Sequence, residues 1–312
     1  MKSLKEYEVV IVGAGPAGIT AYLYAKRSLL ETLLIDKGFI GGQVLLIDFI
    51  ENYPGFPEGI SGYELVERMK AQIERLGLNF LQEEVVKLEI QDNYKLLYLR
   101  GGEILKSKSI ILALGASPKK LGIPGERELT GKGVAYCATC DGPLFRDEVI
   151  AVLGGGNTAL QEALFLTKFA KKIYLIHRRD SFRATPILQK RVQENEKIIL
   201  VLNTVVEEII GSSQVEKIRI KHKISGEESF LEVSGVFVFI GYQPETDWLR
   251  GTLELDSQGF ILVDKNLKTS LEGVFACGDC ISKEFRQIIS ACGEGAIAAL
   301  MAEKYLNEVF KK

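Results

Sequence analysis

The stretch "YEVVIVGAGPAG" at residues 7–18 decides the fold. Its first half is a short, nearly continuous apolar run rich in valine, which is typical of a buried parallel strand. The run ends in glycines spaced G-x-G-x-x-G, and a helical stretch follows. The first glycine makes a tight turn, and the second lets the backbone approach a pyrophosphate at the N-terminus of the helix. The third lets the helix pack closely against the strand. We therefore predict a dinucleotide-binding unit at the start of the chain.

The same order of elements recurs in the middle of the chain. "EVIAVLGGGNTA" at 148–159 repeats the strand and the glycine turn. Each copy then reaches a second strand, runs into short alternating segments typical of an antiparallel meander, and closes with an apolar strand ending in glycine. The sequence predicts an α/β fold with two Rossmann-like dinucleotide-binding domains, each a parallel sheet with helices plus a small antiparallel meander. Chance similarity between α/β segments is the alternative.

The second copy is predicted to be an insertion into the first domain. A further strand at 272–280 and a C-terminal helix lie beyond the second copy and lack fingerprint glycines, so they can complete the first domain. The turn-rich segments at 115–120 and 241–246 are the expected linkers. We predict a discontinuous first dinucleotide-binding domain over 1–117 and 244–312, and a second one inserted over 118–243.

Composition narrows the class of protein. A chain of 312 residues suits two domains, and 46% apolar with 26% charged residues is typical of a soluble globular protein. The net charge of −2 gives no general attraction to nucleic acid or to an anionic membrane. No stretch approaches the ~20 apolar residues of a membrane span, and no signal peptide is recognisable. We expect a cytoplasmic protein without nucleic-acid or membrane partners.

The two fingerprints differ at the end of the second strand. Asp36 in the first copy can accept hydrogen bonds from ribose hydroxyls and repel a 2′-phosphate, which favours FAD. The matched position in the second copy is His177, which is followed by Arg178, Arg179 and, nearby, Arg183. Planar guanidinium groups pair with phosphate oxygens, so this copy is predicted to bind NADPH. A solvated basic loop is the alternative.

A dithiol lies just before the second fingerprint, in "YCATCDG" at 136–142. In a cytosolic protein with a βαβ pattern, Cys137 and Cys140 are interpreted first as redox-active, and a helix start can lower a thiol pKa. Asp141 is placed to move a proton, and a raised carboxyl pKa is expected beside a thiolate. The alternatives are a helix cap for Asp141 and buried apolar side chains for the cysteines.

Cys277 and Cys280 form a second C-x-x-C. Zinc ribbons keep their two cysteine pairs much closer in sequence than these pairs are, so we predict no metal site. Small buried residues are the favoured interpretation, and a zinc site or a second redox pair are the alternatives. His222 is expected at the surface.

Several segments together resemble the low-molecular-weight, bacterial-type thioredoxin reductases across essentially the whole chain. These segments are "GAGPAG", "GGQ", "ENYPG", "CATCDG", "GGGNTA", "HRRDSFRA", "GVFACGD" and "RQIISACGEGA". The resemblance implies a homodimeric enzyme that uses FAD and NADPH to reduce thioredoxin or a thioredoxin-like protein. It also implies that Cys140 faces the flavin, Cys137 attacks the partner disulfide and Asp141 is the acid/base. The chain departs from many relatives in its cysteines at 277, 280 and 292.

The cofactor contacts expected from the motifs and the resemblance fall into two sets. For FAD they are Gly13, Gly15, Pro16, Ala17, Gly18, Asp36, Lys37, Gly41, Gly42, Gln43, Asn52, Val85, Gly115, Gly278, Asp279, Arg286, Gln287 and Ile288. For NADPH they are Gly154, Gly156, Asn157, Thr158, His177, Arg178, Arg179, Arg183 and Ile240.

Other functions compete with this interpretation. The reducing flavoprotein of a peroxiredoxin system carries an extra N-terminal thioredoxin-like region, whereas this sequence starts at the FAD strand. A small-molecule dithiol oxidase or a ferredoxin-driven reductase has no use for the arginine cluster. A non-catalytic nucleotide or redox sensor has no need for Cys137, Cys140 and Asp141 together.

Overall fold

The computed structural model describes residues 5–47, 50 and 52–310, so Glu51 of the "ENYPG" loop lies outside the described residues. The strands are β1 (Glu6–Val12), β2 (Thr32–Asp36), β3 (Phe80–Gln82), β4 (Val85–Gln91), β5 (Tyr94–Leu99), β6 (Ile104–Leu112), β7 (Ala116–Pro118), β8 (Val134–Ala135), β9 (Val149–Leu153), β10 (Lys172–Ile176), β11 (Ile198–Val201), β12 (Thr204–Ile210), β13 (Lys217–His222), β14 (Glu228–Glu232), β15 (Gly235–Val238), β16 (Tyr242–Pro244) and β17 (Val274–Ala276). The helices are α1 (Pro16–Arg27), α2 (Gly62–Glu74), α3 (Ala138–Asp141), α4 (Asn157–Leu166), α5 (Pro186–Gln193) and α6 (Ile288–Val309). Short 3-10 turns lie at Gly42–Leu46, Gly142–Phe145, Asp247–Leu249 and Gly278–Cys280.

The chain divides into two compact units. The first comprises Met1–Ser117 and Gln243–Lys312, and the second comprises Pro118–Tyr242. The strands β7 and β16, which belong to the two connections, pair with each other as a two-stranded sheet. Among the described helices, none is both long and apolar enough to cross a membrane.

The first unit is built on one mixed sheet of order β3-β2-β1-β6-β5-β4, with β17 also paired to β6. Neighbouring strands are parallel among β1, β2, β3, β6 and β17. The strand β5 runs antiparallel to both of its neighbours, β4 and β6. The predicted meander is continuous with the parallel sheet because β6 pairs with β5 along Ile104–Ser107 and with β17 along Ile110–Leu112. Small residues let α1 and α6 pack closely, since a Cβ at Gly295 would lie 2.2 Å from the Ala17 carbonyl oxygen.

The second unit has a fully parallel sheet of order β11-β10-β9-β15-β8 and a separate antiparallel sheet, β12-β13-β14. The central strand β9 is buried along Ile150–Leu153, which explains its unbroken apolar sequence. The predicted fold class, with a parallel sheet and a meander in each copy, is confirmed.

Candidate active site

The dithiol is a disulfide at the start of a one-turn helix. Cys137 and Cys140 are bonded to each other, with their Cα atoms 5.4 Å apart. Cys137 caps α3, and its Sγ accepts a hydrogen bond of 3.2 Å from the Cys140 amide. Both cysteines are half-buried. An amide aimed at this sulfur would stabilise a Cys137 thiolate once the disulfide opens.

Asp141 ends the same helix. Its amide donates to the Cys137 carbonyl oxygen at 3.1 Å, and its side chain is half-buried. Its carboxylate makes no capping hydrogen bond to the 3-10 turn Gly142–Phe145 that follows. This turn therefore gives no support to the alternative that Asp141 serves as a helix cap.

The three glycines of the first fingerprint differ in the space that the protein leaves for a side chain. Gly13 has φ of +108°, and a Cβ there would lie 2.1 Å from the Ala113 carbonyl oxygen. A Cβ at Gly18 would lie 1.8 Å from the Gly13 carbonyl oxygen, so the protein's own packing requires both glycines. Around Gly15, in contrast, a Cβ would meet no heavy atom within 4 Å. Open space at this glycine fits a pyrophosphate that approaches the bare backbone.

Asp36 organises this turn. Its Oδ2 accepts a hydrogen bond from the Ala14 amide and its Oδ1 accepts one from the Gly38 amide, both at 2.7 Å. A carboxylate has about four acceptor positions, so about two remain for ribose hydroxyls. The sequence predicted a ligand contact at Asp36 but missed its bonds to the turn.

A cavity opens beside Asp36 and brings several predicted residues together. Four of the ten lining residues were predicted contacts, namely Gly13, Asp36, Lys37 and Val85, and the other six were missed by sequence reasoning. The whole lining comprises Val12, Gly13, Asp36, Lys37, Glu83, Glu84, Val85, Leu114, Glu245 and Trp248. Lys37 Nζ is paired with Glu245 Oε2 at 3.0 Å, so the predicted Lys37 also holds the wall together. An adenosine end of a dinucleotide fits this position, next to the ribose-binding carboxylate.

The predicted "GGQ" loop folds back onto the fingerprint. The Gly41 amide donates to the Ala14 carbonyl oxygen at 2.8 Å. Gly42 has φ of +57°, and a Cβ there would lie 3.3 Å from the Gly15 Cα. Gln43 follows at the surface, where its Nε2 donates to Ser117 Oγ at 3.0 Å.

Two further predicted residues meet at the start of α6. Asn52 Nδ2 donates to Gln287 Oε1 at 3.1 Å. Gln287 caps α6 and Ile288 is its first residue, so both lie at the positive end of a long helix. The other predicted glycines, Gly115 and Gly278, have φ of +69° and +76°. Pro16 and Ala17 open α1.

Asp279 lies in the turn after β17 and has a buried oxygen without a normal hydrogen bond in the described part of the chain. Lys283 Nζ is 3.3 Å from this Oδ1. Burial raises the pKa of Asp279, while Lys283 and Arg286 act in the opposite direction. Because buried polar atoms are nearly always bonded, this oxygen fits a hydroxyl supplied by a ligand.

Arg286 also has a structural role that the sequence did not predict. Its guanidinium donates to the carbonyl oxygens of Asp279, Lys283 and, at 3.4 Å, Ile281. It also lies 4.0 Å from the centroid of the Phe260 ring. Arg286 therefore holds the turn that carries Asp279.

The second fingerprint repeats the backbone arrangement of the first. Gly154 has φ of +152°, and a Cβ there would lie 2.4 Å from the Phe239 carbonyl oxygen. A Cβ at Gly156 would again meet nothing within 4 Å. Asn157 and Thr158 are at the start of α4, where Thr158 is exposed, and Ile240, which follows β15, is 38% exposed. The open position at Gly156 fits a second pyrophosphate.

Positive charge collects at the end of β10. His177 is buried, and its Nε2 has no partner among the described residues. Burial, followed by the charges of Arg179, Arg183 and Arg178, lowers the pKa of His177. The three arginines are exposed, and none of them forms an ion pair within the described residues. Unpaired guanidinium groups at this position fit a 2′-phosphate.

Asn157 connects the fingerprint to the basic loop that follows β10, residues 177–185. Its Oδ1 accepts a hydrogen bond of 2.8 Å from the Thr185 amide, and the Arg183 amide donates to the Gly155 carbonyl oxygen at 2.8 Å. A Cβ at Gly155 would lie 2.3 Å from the His177 ring, so glycine is required there by the imidazole. The turn and the basic loop are therefore fixed to each other.

A family model described as pyridine nucleotide-disulphide oxidoreductase matches residues 7–295. The chain belongs to the pyridine nucleotide-disulphide oxidoreductase family. It is a flavoprotein oxidoreductase that uses FAD and NADPH.

Individual relatives agree with this family. The thioredoxin reductase of Peptoclostridium litorale is 45% identical and aligns over 97% of this chain and 98% of its own length. That of Mycolicibacterium smegmatis is 44% identical, with 97% of each chain covered. The crystal structure of thioredoxin reductase from Streptococcus pyogenes matches with a TM-score of 0.91 at 40% identity, covering 98% of this chain and 100% of that one.

The second C-x-x-C of this flavoprotein differs from the redox pair. Cys277, Cys280 and Cys292 are free and buried. Burial raises the pKa of Cys280 to about 11, and that of Cys277 well above its ordinary value. Cys280 Sγ donates to the Cys277 carbonyl oxygen at 3.2 Å. These thiols pack as small apolar side chains, in line with the favoured interpretation, and within the described residues no group of side chains is arranged to hold a metal ion.

Proposed function

We propose that the protein is an NADPH-dependent thioredoxin reductase in which Cys137 and Cys140 carry electrons to the partner. One observation carries this proposal. The Cys137–Cys140 disulfide lies in the same compact unit as a dinucleotide fingerprint whose arginines have no ion-pair partner among the described residues. A dithiol and a phosphate-binding site in one unit suit an enzyme that moves electrons from NADPH to a disulfide.

The two cofactors are assigned to the two units. FAD would be held by the first unit, and the open position at Gly15, the Asp36 carboxylate and the buried Asp279 carboxylate support this. NADPH would be held by the second unit, with its 2′-phosphate against Arg178 and Arg179. When bound, FAD accepts a hydride from NADPH and passes the electron pair to a disulfide.

The dithiol would then complete a balanced exchange with thioredoxin. The Cys137 thiolate attacks one sulfur of the partner disulfide, and the other partner sulfur leaves as a thiolate. Cys140 next attacks the Cys137 sulfur, which re-forms the protein disulfide and releases the second partner thiol. The amide of Cys140 supports the Cys137 thiolate in the first step. Asp141 adjoins Cys140 and would exchange the proton of its thiol.

Thioredoxin is the partner favoured by the relatives. Several are named thioredoxin reductase at 40–45% identity. A relative from Mycobacterium leprae is named bifunctional thioredoxin reductase/thioredoxin, and the alignment covers 66% of it. A thioredoxin-like or peroxiredoxin-linked partner is the second candidate.

A homodimer is part of the proposal. The helix α6 exposes a line of apolar side chains, Ile289, Ile297 and Leu300, which are 46%, 46% and 49% exposed. An exposed apolar line of this kind fits a subunit interface. Light scattering should give twice the mass of one chain, and Leu300→Lys should lower it.

We also propose the cytoplasm as the compartment of the protein. Disulfides of cytoplasmic proteins are usually catalytic and transient, which agrees with the role proposed for Cys137 and Cys140.

The decisive experiment uses Cys140→Ser in the FAD-loaded protein. Without its resolving thiol, Cys137 should accumulate as a mixed disulfide with oxidised thioredoxin, visible by non-reducing electrophoresis and mass spectrometry. Cys280→Ser is the matched control, because it removes a buried free thiol from the other C-x-x-C and should trap nothing. Wild-type protein should oxidise NADPH when thioredoxin is added. NADPH oxidation with a generic disulfide but none with thioredoxin would contradict the proposed partner.

A further inference from the structure

We propose that Tyr136, the residue directly before Cys137, is a positioning residue for the dithiol, held by a latch made of Lys120, Glu126 and Tyr136. This inference rests on the proposed redox role of Cys137 and Cys140. All three latch residues belong to the second unit, and Lys120 and Glu126 lie shortly after the connection that enters it.

The dithiol needs such an anchor because its own helix is short. The helix α3 has four residues, and a single turn has little stability of its own. The disulfide restrains the segment only while it is closed. On its C-terminal side the segment is packed tightly, since a Cβ at Gly142 would lie 2.9 Å from a Leu166 methyl group. On its N-terminal side the backbone leaves β8, which pairs with β15, and Tyr136 is the one residue between that strand and Cys137.

Glu126 is the fixed point of the latch. It is only 4% exposed, yet both of its carboxylate oxygens have hydrogen-bond donors. Oε1 accepts from the Leu121 amide and from the Tyr136 hydroxyl, and Oε2 accepts from the Gly122 amide, each at 2.8 Å. A buried carboxylate with this many bonds is held in one position, so it holds the tyrosine hydroxyl as well.

Lys120 restrains the aromatic ring of the same tyrosine. Its Nζ lies 3.6 Å from the centroid of the Tyr136 ring. Burial lowers the pKa of Lys120. Burial and the bond to Glu126 raise the pKa of Tyr136, so its hydroxyl remains a donor through the neutral range. Tyr136 is thus restrained by Glu126 at its hydroxyl and by Lys120 at its ring.

The latch should affect the equilibrium between disulfide and dithiol. Closing the disulfide depends on how often the two thiols meet, and a segment anchored at both ends keeps them close when the bond is open. Loss of the Tyr136 side-chain contacts loosens the link between β8 and Cys137 and lowers this effective concentration, which favours the dithiol. A residue with a merely structural role would change stability without changing this equilibrium.

The test is a redox titration of the FAD-loaded protein in glutathione buffers. One protein disulfide and two molecules of reduced glutathione give two thiols, on Cys137 and Cys140, and one glutathione disulfide. After alkylation, trypsin releases both cysteines on one peptide, residues 133–146, separate from the other three. Tyr136→Phe keeps the ring and removes the hydroxyl. We expect the equilibrium to move about threefold to tenfold toward the dithiol, or about 15–30 mV.

The matched control is Tyr174→Phe. Tyr174 lies on β10 of the same unit, and its hydroxyl accepts from Lys172 Nζ at 2.8 Å with the ammonium 4.5 Å from the ring centroid. This variant should leave the equilibrium unchanged. Equal values for Tyr136→Phe, Tyr174→Phe and wild type would overturn the latch, even if both variants melt earlier.

A second variant protects the test against misfolding. Lys120→Met removes the ammonium from the ring and should shift the equilibrium in the same direction by about threefold. An unchanged equilibrium in this variant would contradict a positioning role for the contact between Lys120 and the Tyr136 ring. A wild-type peptide that glutathione cannot reduce at all would instead overturn the proposed function, and the latch with it.

Discussion

The two dinucleotide fingerprints of this chain have nearly the same backbone arrangement at their first two glycines. Gly13 and Gly154 both have positive φ, and a Cβ at either would collide with a carbonyl oxygen just after β6 or β15, respectively. Gly15 and Gly156 both face open space. The backbone thus fits a pyrophosphate at each site but does not distinguish one dinucleotide from another.

The difference between the copies lies in the side chains after the second strand. In the first copy, Asp36 is a carboxylate bonded to two backbone amides. In the second copy, His177 is buried with a nitrogen that no described residue contacts by a hydrogen bond, and exposed arginines follow it. This contrast teaches that glycine spacing selects the class of ligand, whereas the charge at one strand end selects the ligand within that class.

The largest effect is expected at the third fingerprint position, where the copies differ as Gly18 and Ala159. Ala159 is fully buried and accommodated, whereas a Cβ at Gly18 would lie 1.8 Å from the Gly13 carbonyl oxygen. Gly18→Ala should therefore destabilise the first unit by about 3 kcal/mol or more and yield protein without FAD. The measurements are the FAD content after purification and the melting temperature.

Gly15→Ala is the control for this prediction. Its Cβ has room in the protein itself, so the variant should fold and melt near the wild type without FAD. It should still bind FAD more weakly, because the methyl group occupies the approach of the pyrophosphate. If Gly18→Ala keeps a full complement of FAD, packing does not explain why the two copies differ here.

The arginine cluster gives the next largest effect. Arg178→Ala with Arg179→Ala should raise the KM for NADPH about 10- to 100-fold for each arginine removed, since hydrogen bonds to charged groups contribute about 1.5–3 kcal/mol. The KM for NADH should change little, because NADH has no 2′-phosphate. Arg191, an exposed arginine on α5, supplies a control variant on the same unit. Equal increases with both nucleotides would exclude a phosphate-binding role.

The fold was largely predictable because its information is local. The apolar runs of β1, β9 and β15 mark buried parallel strands without any knowledge of their neighbours. The continuity between meander and parallel sheet in the first unit was not predictable. It depends on β6 pairing with two different strands along one edge, one of them far away in sequence.

The candidate site follows the same rule. Cys137, Cys140 and the fingerprint glycines were found because each motif lies within a few consecutive residues. Trp248 and Glu83 line the cavity beside Asp36 through tertiary contacts that no local pattern encodes. The latch residue Glu126 was missed for the same reason, since only the folded chain brings it to the Tyr136 hydroxyl.

Asp36→Asn tests the first copy with a smaller change. An amide keeps the shape, but its NH2 group would face one of the two backbone donors and the negative charge is removed. We expect FAD affinity to fall about tenfold, measured by titrating apoprotein with FAD, because a charge-assisted bond is replaced by an unfavourable contact. NADPH binding, which belongs to the other copy, should be unchanged. A parallel decrease in NADPH affinity would mean that the substitution acts through general unfolding.

The smallest effect is a pH dependence that only the second copy should show. Because burial and the neighbouring arginines lower the pKa of His177 below 6.5, the unfolded chain takes up this proton before the folded protein does. The stability associated with neutral His177 is fully present above pH 6.5 and decreases as the pH falls below it, by at most about 1.4 kcal/mol per pH unit. His177→Gln should remove this part of the decrease in denaturation midpoint, whereas His222→Gln, which changes the other histidine, should retain it. Saturating NADPH should weaken the pH dependence in the wild type, because a 2′-phosphate beside the ring favours the imidazolium. A wild-type pH profile that both variants share would show that His177 is not the titrating group.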